Sequence, residues 1–172
     1  YLDHAATTPL DSEVLSRILP YFSGWYGNPS SMHSSGQRAK AAMEEARERV
    51  AKCLNASAAE IIFTGSGTEA DNLAINGRHI IISAIEHKAV LERARQLERE
   101  GSRISIAPVN RYGQIDITQI LSLISPETEL ISVMLGNNEL GTIEPIAELV
   151  QTVKEKYPNI LIHTDACQTA GL

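Results

Sequence analysis

The stretch HIIISAIEHKAVLERARQLEREG, residues 79–101, decides the fold class of this chain. It opens with an apolar run, residues 79–83, whose consecutive Ile residues are typical of a strand covered on both faces. Residues 87–100 then place four apolar side chains at helical spacing, and Gly101 ends the pattern. A buried strand followed directly by an amphipathic helix is the repeating unit of an α/β fold.

The same alternation continues along most of the chain. We predict five strands, at residues 60–64, 79–83, 104–108, 130–135 and 160–164. Further helices are predicted at residues 37–55, after Thr68, and at residues 146–157, the last opened by Pro145 and closed by Pro158. The chain is therefore expected to form an α/β fold, with a largely parallel sheet and helices on both faces.

Two regions depart from this pattern. Residues 1–35 are rich in Thr, Pro, Ser, Gly and Asn, so we interpret them as an N-terminal arm and loops that precede an α/β domain at residues 36–172. Residues 76–78 leave little room between the helix after Thr68 and the next strand, whereas a crossover usually needs a dozen or more residues. Either this crossover is unusually compressed or residues are absent from the sequence there.

Composition argues against several classes of protein. Fifteen Lys and Arg residues against twenty-one Asp and Glu residues give a net charge of −6, which argues against binding to nucleic acid or to an anionic membrane. No apolar run approaches the roughly 18 residues of a membrane span, and the first residues lack the pattern of a signal peptide. Two cysteines cannot form a disulfide framework. We expect a soluble cytoplasmic protein, with an organelle matrix as the alternative.

The first candidate site is the turn FTGSGTEADN, residues 63–72, between a predicted strand and a predicted helix. Backbone N–H groups at a helix N-terminus form an anion site where glycines allow close approach, and the Thr68 hydroxyl can add a hydrogen bond to a phosphate. The alternative is an ordinary turn in which Thr68 caps the helix together with Asp71. The stretch matches neither the P-loop nor the GxGxxG fingerprint.

Polar residues follow three more of the predicted strands. His87 can stack on a ring or move protons near neutral pH, or it can simply cap its helix. LGNNELG, residues 135–141, offers two adjacent amides to a ligand or forms a tight turn. HTDACQ, residues 163–168, presents Asp165 to a metal, a ribose or a protonated ring nitrogen, or uses it as a helix cap, and Gln168 can reach the same ligand.

These four candidates are expected to converge, because the carboxyl ends of parallel strands lie at the same edge of a sheet. Together they offer an anion site, an imidazole, amides and a carboxylate. Such a set suits a ligand with a phosphate at one end and a protonatable aromatic nitrogen at the other. Pyridoxal 5′-phosphate is such a molecule, and its chemistry needs an acid opposite the ring nitrogen. The sequence therefore predicts a pyridoxal 5′-phosphate site and no metal site.

Six motifs, in order along essentially the whole chain, resemble those of the cysteine desulfurases. These enzymes belong to the class V aminotransferase branch of the fold type I pyridoxal-phosphate enzymes. The motifs are YLDHAATTP at residues 1–9, YGNPSS at 26–31, FTGSGTEADN at 63–72, IEHKA at 85–89, NNELGT at 137–142 and HTDACQ at 163–168. The resemblance implies that Gly67 and Thr68 hold the phosphate, and that His87 stacks on the pyridine ring and assists proton transfer.

The resemblance also assigns the remaining contacts of the cofactor. It implies that Asn138 and Gln168 bind the ring hydroxyl and that Asp165 pairs with the ring nitrogen. The reaction that it implies is the removal of sulfur from L-cysteine, which gives L-alanine and an enzyme persulfide. That persulfide would pass its sulfur to an acceptor or scaffold protein, for example in iron–sulfur cluster assembly, and members of the family are typically homodimers.

Two expected parts of the catalytic machinery do not occur in the sequence. In the family, the Schiff-base lysine follows in a Ser-x-His-Lys segment and the persulfide-forming cysteine lies further on, whereas this sequence ends at Leu172. Lys88 adjoins the stacking histidine and is not that lysine. Neither Cys53 nor Cys167 occupies the catalytic position, and Cys167 is interpreted as a small buried apolar residue. We interpret the chain as the N-terminal and central portion of a desulfurase, inactive alone.

Three alternatives stay open from the sequence. A selenocysteine lyase or cystine lyase uses nearly the same cofactor site. A non-catalytic binding protein can keep the fold for contacts with a partner. A nucleotide-binding α/β domain can use the turn at residues 65–68 for a phosphate.

Overall fold

A computed structural model describes residues 1–171 of the chain. Within that range the helices are α1 (Ser12–Ser23), α2 (Ser34–Cys53), α3 (Gly67–Ala74), α4 (Lys88–Arg99), α5 (Ile117–Leu123) and α6 (Ile146–Lys156). The strands are β1 (His79–Ser83), β2 (Arg103–Ala107), β3 (Thr128–Ser132) and β4 (Leu161–His163). A single 3₁₀ turn, Ala58–Glu60, follows α2. No helix in the described range is long and apolar enough to cross a bilayer.

The four strands form one parallel sheet in the order β2-β1-β3-β4. All five residues of β1 are buried, as the run of consecutive isoleucines predicts for a strand covered on both faces. β1 coincides with its predicted range, and the other three strands lie within three residues of theirs. The predicted α/β fold with a parallel sheet is therefore confirmed.

Two apolar clusters cover the two faces of this sheet. Ile81 and Ile131 point to one face and pack with Ile120 of α5 and with Leu149 and Val153 of α6. The alternate residues of β1 and β3 point to the other face and pack against α4 and the end of α3, in a cluster of Ile75, Ile80, Ile82, Val90, Ala94, Leu97 and Leu130. Because side chains alternate along a strand, one apolar run supplies both clusters. Helices therefore cover both faces, as the sequence predicts.

The strand predicted at residues 60–64 is wrong. Residues 61–64 adopt no regular structure, and Ile62 and Phe63 are exposed. A strand needs a neighbour to pair its N–H and C=O groups, and no other described strand lies beside this run. Ser57 and Glu60 form a capping box at the 3₁₀ turn, in which the Glu60 carboxylate accepts from the backbone N–H of Ser57 at 2.7 Å.

Two helices were absent from the sequence prediction. α1 lies within residues 1–35, which were expected to form an arm and loops. Its N-cap is Asp11, whose carboxylate accepts from the backbone N–H of Glu13 at 2.7 Å. The sequence did not indicate this helix, because Pro20 lies inside it and Thr, Pro and Ser residues surround it. The short α5 begins in the same way, with Asp116 accepting from the N–H of Thr118 at 2.8 Å.

The chain divides into two compact units, Tyr1–Ala6 with Thr64–Leu172, and Thr7–Phe63. The first contains the sheet, and the second contains α1, α2 and the 3₁₀ turn. In the second unit the Arg47 guanidinium lies 4.9 Å from the centre of the Phe63 ring and donates to the carbonyl of Ile61. The domain boundary expected between residues 35 and 36 stays a prediction, and its end at residue 172 lies outside the described residues.

The connection at residues 76–78 is short, because α3 has only eight residues and β1 begins five residues after it ends. Gly77 has φ of 143°, a conformation open mainly to glycine. Glu129 of β3 holds Arg78 in place. Its carboxylate accepts from the backbone N–H and from the guanidinium of Arg78, both at 2.9 Å. The short connection is therefore an ordered turn.

Candidate functional site

A cavity of about 380 Å³ lies at the carboxyl end of the sheet, within the first compact unit. Its walls come from Ala5 and Ala6, the start of α3, and the segments that follow β1, β3 and β4. All six residues predicted for the site line it: Gly67, Thr68, His87, Asn138, Asp165 and Gln168. The structure thus brings together every residue that the sequence selected, while their individual roles stay predictions.

The predicted anion site is the N-terminus of α3. Ser66, not Thr68, is the N-cap, and its hydroxyl accepts from the N–H of Glu69 at 3.2 Å. The alternative role of Thr68 as a cap is therefore wrong. A Cβ on Gly67 would lie 2.7 Å from Sγ of Cys167, so the turn closes against that sulfur only because residue 67 is glycine. The first N–H groups of a helix have no acceptor within it and remain available to an anion.

His87 is the N-cap of α4 and also lines the cavity. Its Nδ1 accepts from the N–H of Ala89 at 3.2 Å. A neutral imidazole with an accepting Nδ1 carries its proton on Nε2. The capping role and the functional role proposed for His87 are therefore compatible, because the cap fixes the tautomer of the ring.

The two adjacent amides after β3 have different surroundings. Asn137 supports the loop: its Nδ2 donates to the carbonyl of Ile85 at 2.9 Å, and its Oδ1 accepts from the N–H groups of Glu139 and Leu140, both at 2.8 Å. Asn138 lines the cavity, whereas Asn137 does not. Asn137 thus ties this loop to the segment just before His87, which leaves Asn138 as the amide that faces a ligand.

Asp165 is 9% exposed, and its Oδ1 accepts from the N–H of Cys167 at 2.9 Å. Desolvation of the sulfur, followed by the neighbouring Asp165 carboxylate, raises the pKa of the Cys167 thiol to about 11. This thiol is therefore protonated near neutral pH and is a poor nucleophile. The expectation that Cys167 is a buried residue is wrong, because the residue is exposed, although its sulfur lies against the turn at Gly67.

Two further acidic residues at the site were not selected from the sequence. Asp71 is 4% exposed and lines the cavity. Burial, and then the negative charge of Asp165, raises the pKa of Asp71 to about 6. Asp71 belongs to the motif at residues 63–72, but it was considered only as a partner of Thr68 in a helix cap. An acidic residue one turn into a helix usually faces solvent, so the sequence does not indicate that Asp71 belongs to the site. Its burial in the structure does.

Glu86, the second, is buried beside the cavity-lining residue Met134. Its Oε1 accepts from the Ser83 hydroxyl at 2.5 Å and from the N–H of Met134 at 2.8 Å, while its Oε2 has no partner among the described residues. Burial raises the pKa of Glu86 to about 7. The residue therefore ties the segment that follows β1 to the segment that follows β3.

A histidine also approaches the cavity from β4. His163 places Nε2 at 3.6 Å from Oδ1 of Asp71, and its Nδ1 lies 2.9 Å from the Ser132 hydroxyl. Burial lowers the pKa of His163, so the ring is neutral near neutral pH. His163 belongs to the motif HTDACQ, in which the sequence pattern indicates no role for it.

The family of the chain follows from a comparison with known proteins. The model of the class V aminotransferases matches residues 1–172. The chain belongs to the class V aminotransferase family. A cysteine desulfurase IscS of Clostridium botulinum strain Hall is 47% identical over 180 residues, which cover 99% of this chain and 45% of that protein. A cysteine desulfurase of Mus musculus is 44% identical over 99% of this chain and 39% of its own length.

Solved structures of class V proteins have the same fold. A NifS-like protein matches with a TM-score of 0.90 and 39% identity, over 96% of this chain and 48% of its own. A structure described as SspA in complex with cysteine matches with a TM-score of 0.91 and 38% identity, over 98% of this chain and 51% of its own. The chain thus spans about half the length of the relatives it matches.

Pyridoxal 5′-phosphate is the cofactor of these enzymes, and the cavity fits it. The N-terminus of α3 can accept the phosphate, and its glycine allows close approach of the backbone. The buried carboxylate of Asp165 suits a protonated ring nitrogen, since Cys167 alone among the described residues donates a hydrogen bond to it. A volume of about 380 Å³ also lies within the range of about 300 to 1,000 Å³ that is usual for small-molecule sites.

Proposed function

We propose that the protein containing this chain is a cysteine desulfurase, which removes sulfur from L-cysteine to give L-alanine and an enzyme-bound persulfide. One observation carries the proposal: a single cavity brings together a helix N-terminus, an imidazole, a free amide and a buried carboxylate. The identity of 44 to 47% with cysteine desulfurases over nearly the whole chain supports the same reaction. The structure described as a complex with cysteine supports the substrate.

Each residue of the cavity has a distinct task in this proposal. Gly67 and Thr68 bind the phosphate through the N–H groups at the start of α3. Asp165 keeps a proton on the ring nitrogen, because a carboxylate in a nearly buried position stabilises an adjacent cation. When bound, the cofactor supplies an electron-accepting ring. His87 would pack on that ring, and because its Nδ1 accepts from the N–H of Ala89, the neutral imidazole carries its proton on Nε2.

The ring hydroxyl and the reactive groups complete the assignment. Asn138 and Gln168 orient the ring through its hydroxyl group. No lysine lines the cavity in the part of the chain that the structure describes, and the raised pKa of Cys167 makes that thiol unsuitable as the sulfur acceptor. We propose that the lysine bound to the cofactor and the persulfide-forming cysteine come from other parts of the protein.

The partners of the protein are proposed on the same basis. We propose a homodimer that passes sulfur to an acceptor or scaffold protein, with iron–sulfur cluster assembly as one destination. The IscS names of several relatives support that destination. We also propose a cytoplasmic location, or an organelle matrix, since the two cysteines are free and do not form a disulfide.

The experiment is an assay of the full-length protein with pyridoxal 5′-phosphate and L-cysteine. We expect visible absorbance from the bound cofactor, and equal amounts of L-alanine and of sulfide released in the presence of a thiol reductant. L-serine serves as the matched control, because it replaces the substrate sulfur with oxygen, and it should give no alanine. Absence of the visible absorbance would reject the cofactor, and bound cofactor without alanine from L-cysteine would reject the reaction.

A further inference from the structure

The carboxylate of Asp71 shares the cavity with Asp165. Asp71 comes from α3 and Asp165 follows β4, so two separate elements bring two acids to one ligand. The lining contains no Lys or Arg among the described residues. Two carboxylates without a fixed cation favour a ligand that brings its own positive charge.

A histidine on a neighbouring strand lies beside the carboxylate of Asp71. Oδ1 of Asp71 faces Nε2 of His163 at 3.6 Å, and Nδ1 of the same ring lies 2.9 Å from the Ser132 hydroxyl. Ser132 and His163 are register partners in β3 and β4, so the sheet itself holds the imidazole. The contact with Asp71 is longer than a hydrogen bond, but a carboxylate electrostatically favours the tautomer that directs an N–H at Nε2 toward it, and Ser132 can then donate to Nδ1.

The charged and titratable groups around Asp71 come from each element packed against it. Asp165 follows β4 and lies close enough to raise the pKa of Asp71, whereas His87 at the start of α4 lowers it. Glu86, after β1, is the third acid of the group, and Asp71 and Asp165 both raise its pKa. His163 is neutral because of its burial. The surroundings of Asp71 are therefore predominantly acidic.

We propose that Asp71 is a second carboxylate that selects the protonated ring nitrogen of the cofactor, and that His163 is its positioning residue. This inference rests on the proposed function, because it assumes pyridoxal 5′-phosphate as the ligand. Asp165 accepts the hydrogen bond from the ring N–H. The negative charge of Asp71 adds to the potential at that nitrogen and keeps the proton on the ring.

The test compares two ligands of nearly the same shape. Pyridoxal 5′-phosphate and its 1-deaza analogue, in which C–H replaces the ring nitrogen, are titrated into the full-length protein. Asp71→Asn should weaken binding of pyridoxal 5′-phosphate by about tenfold and change that of the analogue less than about twofold. His163→Gln should give a smaller loss with the same selectivity. Glu98→Gln, on the exposed face of α4, is the matched control and should change neither affinity.

Two outcomes of the titration would overturn the inference. Equal losses for both ligands would mean that Asp71 only supports the fold, and unchanged affinity for both would mean that it has no part in binding. If the unsubstituted protein binds neither ligand, the proposed cofactor is wrong, and the pair of Asp71 and His163 is then tested by itself.

That second measurement is ¹⁵N NMR of the histidine side chains in the ligand-free protein. The position of the ring proton is read from the unsubstituted protein, so that part of the measurement remains decisive even if Asp71→Asn does not fold. We expect the neutral ring of His163 to carry its proton on Nε2, and Asp71→Asn to lower the pKa of that ring. A proton found on Nδ1 would show that the ring does not donate to Asp71 and would overturn the positioning role.

Discussion

A histidine lies at each end of the parallel sheet, buried at the amino end and half-buried at the carboxyl end, and the two rings have different surroundings. At the amino end, His79 is 0% exposed and has only hydroxyl partners. Its Nδ1 lies 2.7 Å from Thr128 and 3.0 Å from Ser125, and its Nε2 lies 2.9 Å from Ser105. Both ring nitrogens are satisfied, so this histidine joins three neighbouring segments and has no hydrogen-bonding capacity left for a ligand.

At the carboxyl end, His163 has one hydroxyl partner, Ser132, while its other nitrogen faces a carboxylate of the cavity. Asp71 and Asp165 remain only partly satisfied within the described chain, and the pKa of Asp71 is raised. Incompletely satisfied polar groups with perturbed pKa values are typical of functional sites. The comparison shows that burial of a histidine does not indicate function by itself, whereas the identity of its partners does.

The largest effect is expected at the carboxyl end. Asp165→Ala in the full-length protein should reduce the rate of alanine formation by about a hundredfold or more, because the ring nitrogen loses the carboxylate that keeps it protonated. Steady-state assays with L-cysteine measure this. Glu98→Ala, an exposed acid on α4, is the control. A rate within threefold of the unsubstituted protein would contradict the role of Asp165.

The opposite end should affect stability instead. His79→Ala should lower the free energy of unfolding by about 3 kcal/mol, because it creates a cavity and removes the imidazole partner of one buried and two partly buried hydroxyls. Denaturant unfolding gives this value, and cofactor binding per folded molecule should not change. His4→Ala is a control at an exposed position. The comparison fails if His79→Ala leaves stability intact or abolishes cofactor binding in the folded protein.

The pH dependence of stability should have one sign for His79 and His163, whose pKa values are lowered, and the opposite sign for the acids at the carboxyl end, whose pKa values are raised. Burial lowers the pKa of His79, so the unfolded chain binds the proton more tightly, and this contribution to stability is lost as the pH falls below about 6.5. Burial raises the pKa of Glu86 from 4.5 to about 7 and that of Asp71 from 3.8 to about 6. The folded state therefore holds these two protons more tightly, and stability is lost as the pH rises through that range.

Glu86→Gln isolates the acidic end. The variant should lose less stability than the unsubstituted protein between pH 5 and pH 8, by about 2 kcal/mol, because the glutamine does not ionise. Urea unfolding at several pH values gives both slopes, and Glu98→Gln is the exposed control. Parallel profiles for Glu86→Gln and the unsubstituted protein would show that Glu86 does not titrate in this range.

The smallest effect concerns the contact between Gly67 and Cys167. Gly67→Ala should weaken binding of pyridoxal 5′-phosphate by about tenfold, because the new Cβ would lie 2.7 Å from Sγ and displace the turn. Removal of the sulfur in Gly67→Ala/Cys167→Ala should restore part of that affinity, and Cys167→Ala alone should change it less than about twofold. If the double variant binds no better than Gly67→Ala, the sulfur is not the obstacle.

The sequence selected six residues that all line the cavity, because they lie at ends of strands and helices that local patterns reveal. Thr68 follows the N-cap of α3, and Asp165 follows a strand identified by its apolar run. Asp71 and Glu86 were missed for a physical reason. Both belong to motifs of the sequence, yet the local pattern does not indicate whether an acidic residue is buried.

The sequence by itself determined the α/β alternation, the parallel sheet and the set of motifs at one edge, since the apolar periodicity of each element is a local property. Only the tertiary structure decided whether residues 60–64 pair as a strand, because pairing depends on a neighbour that is distant in sequence. It also decided which acids are buried together and which histidine faces them. Burial and charge proximity depend on packing between elements, and they set the pKa values of the site.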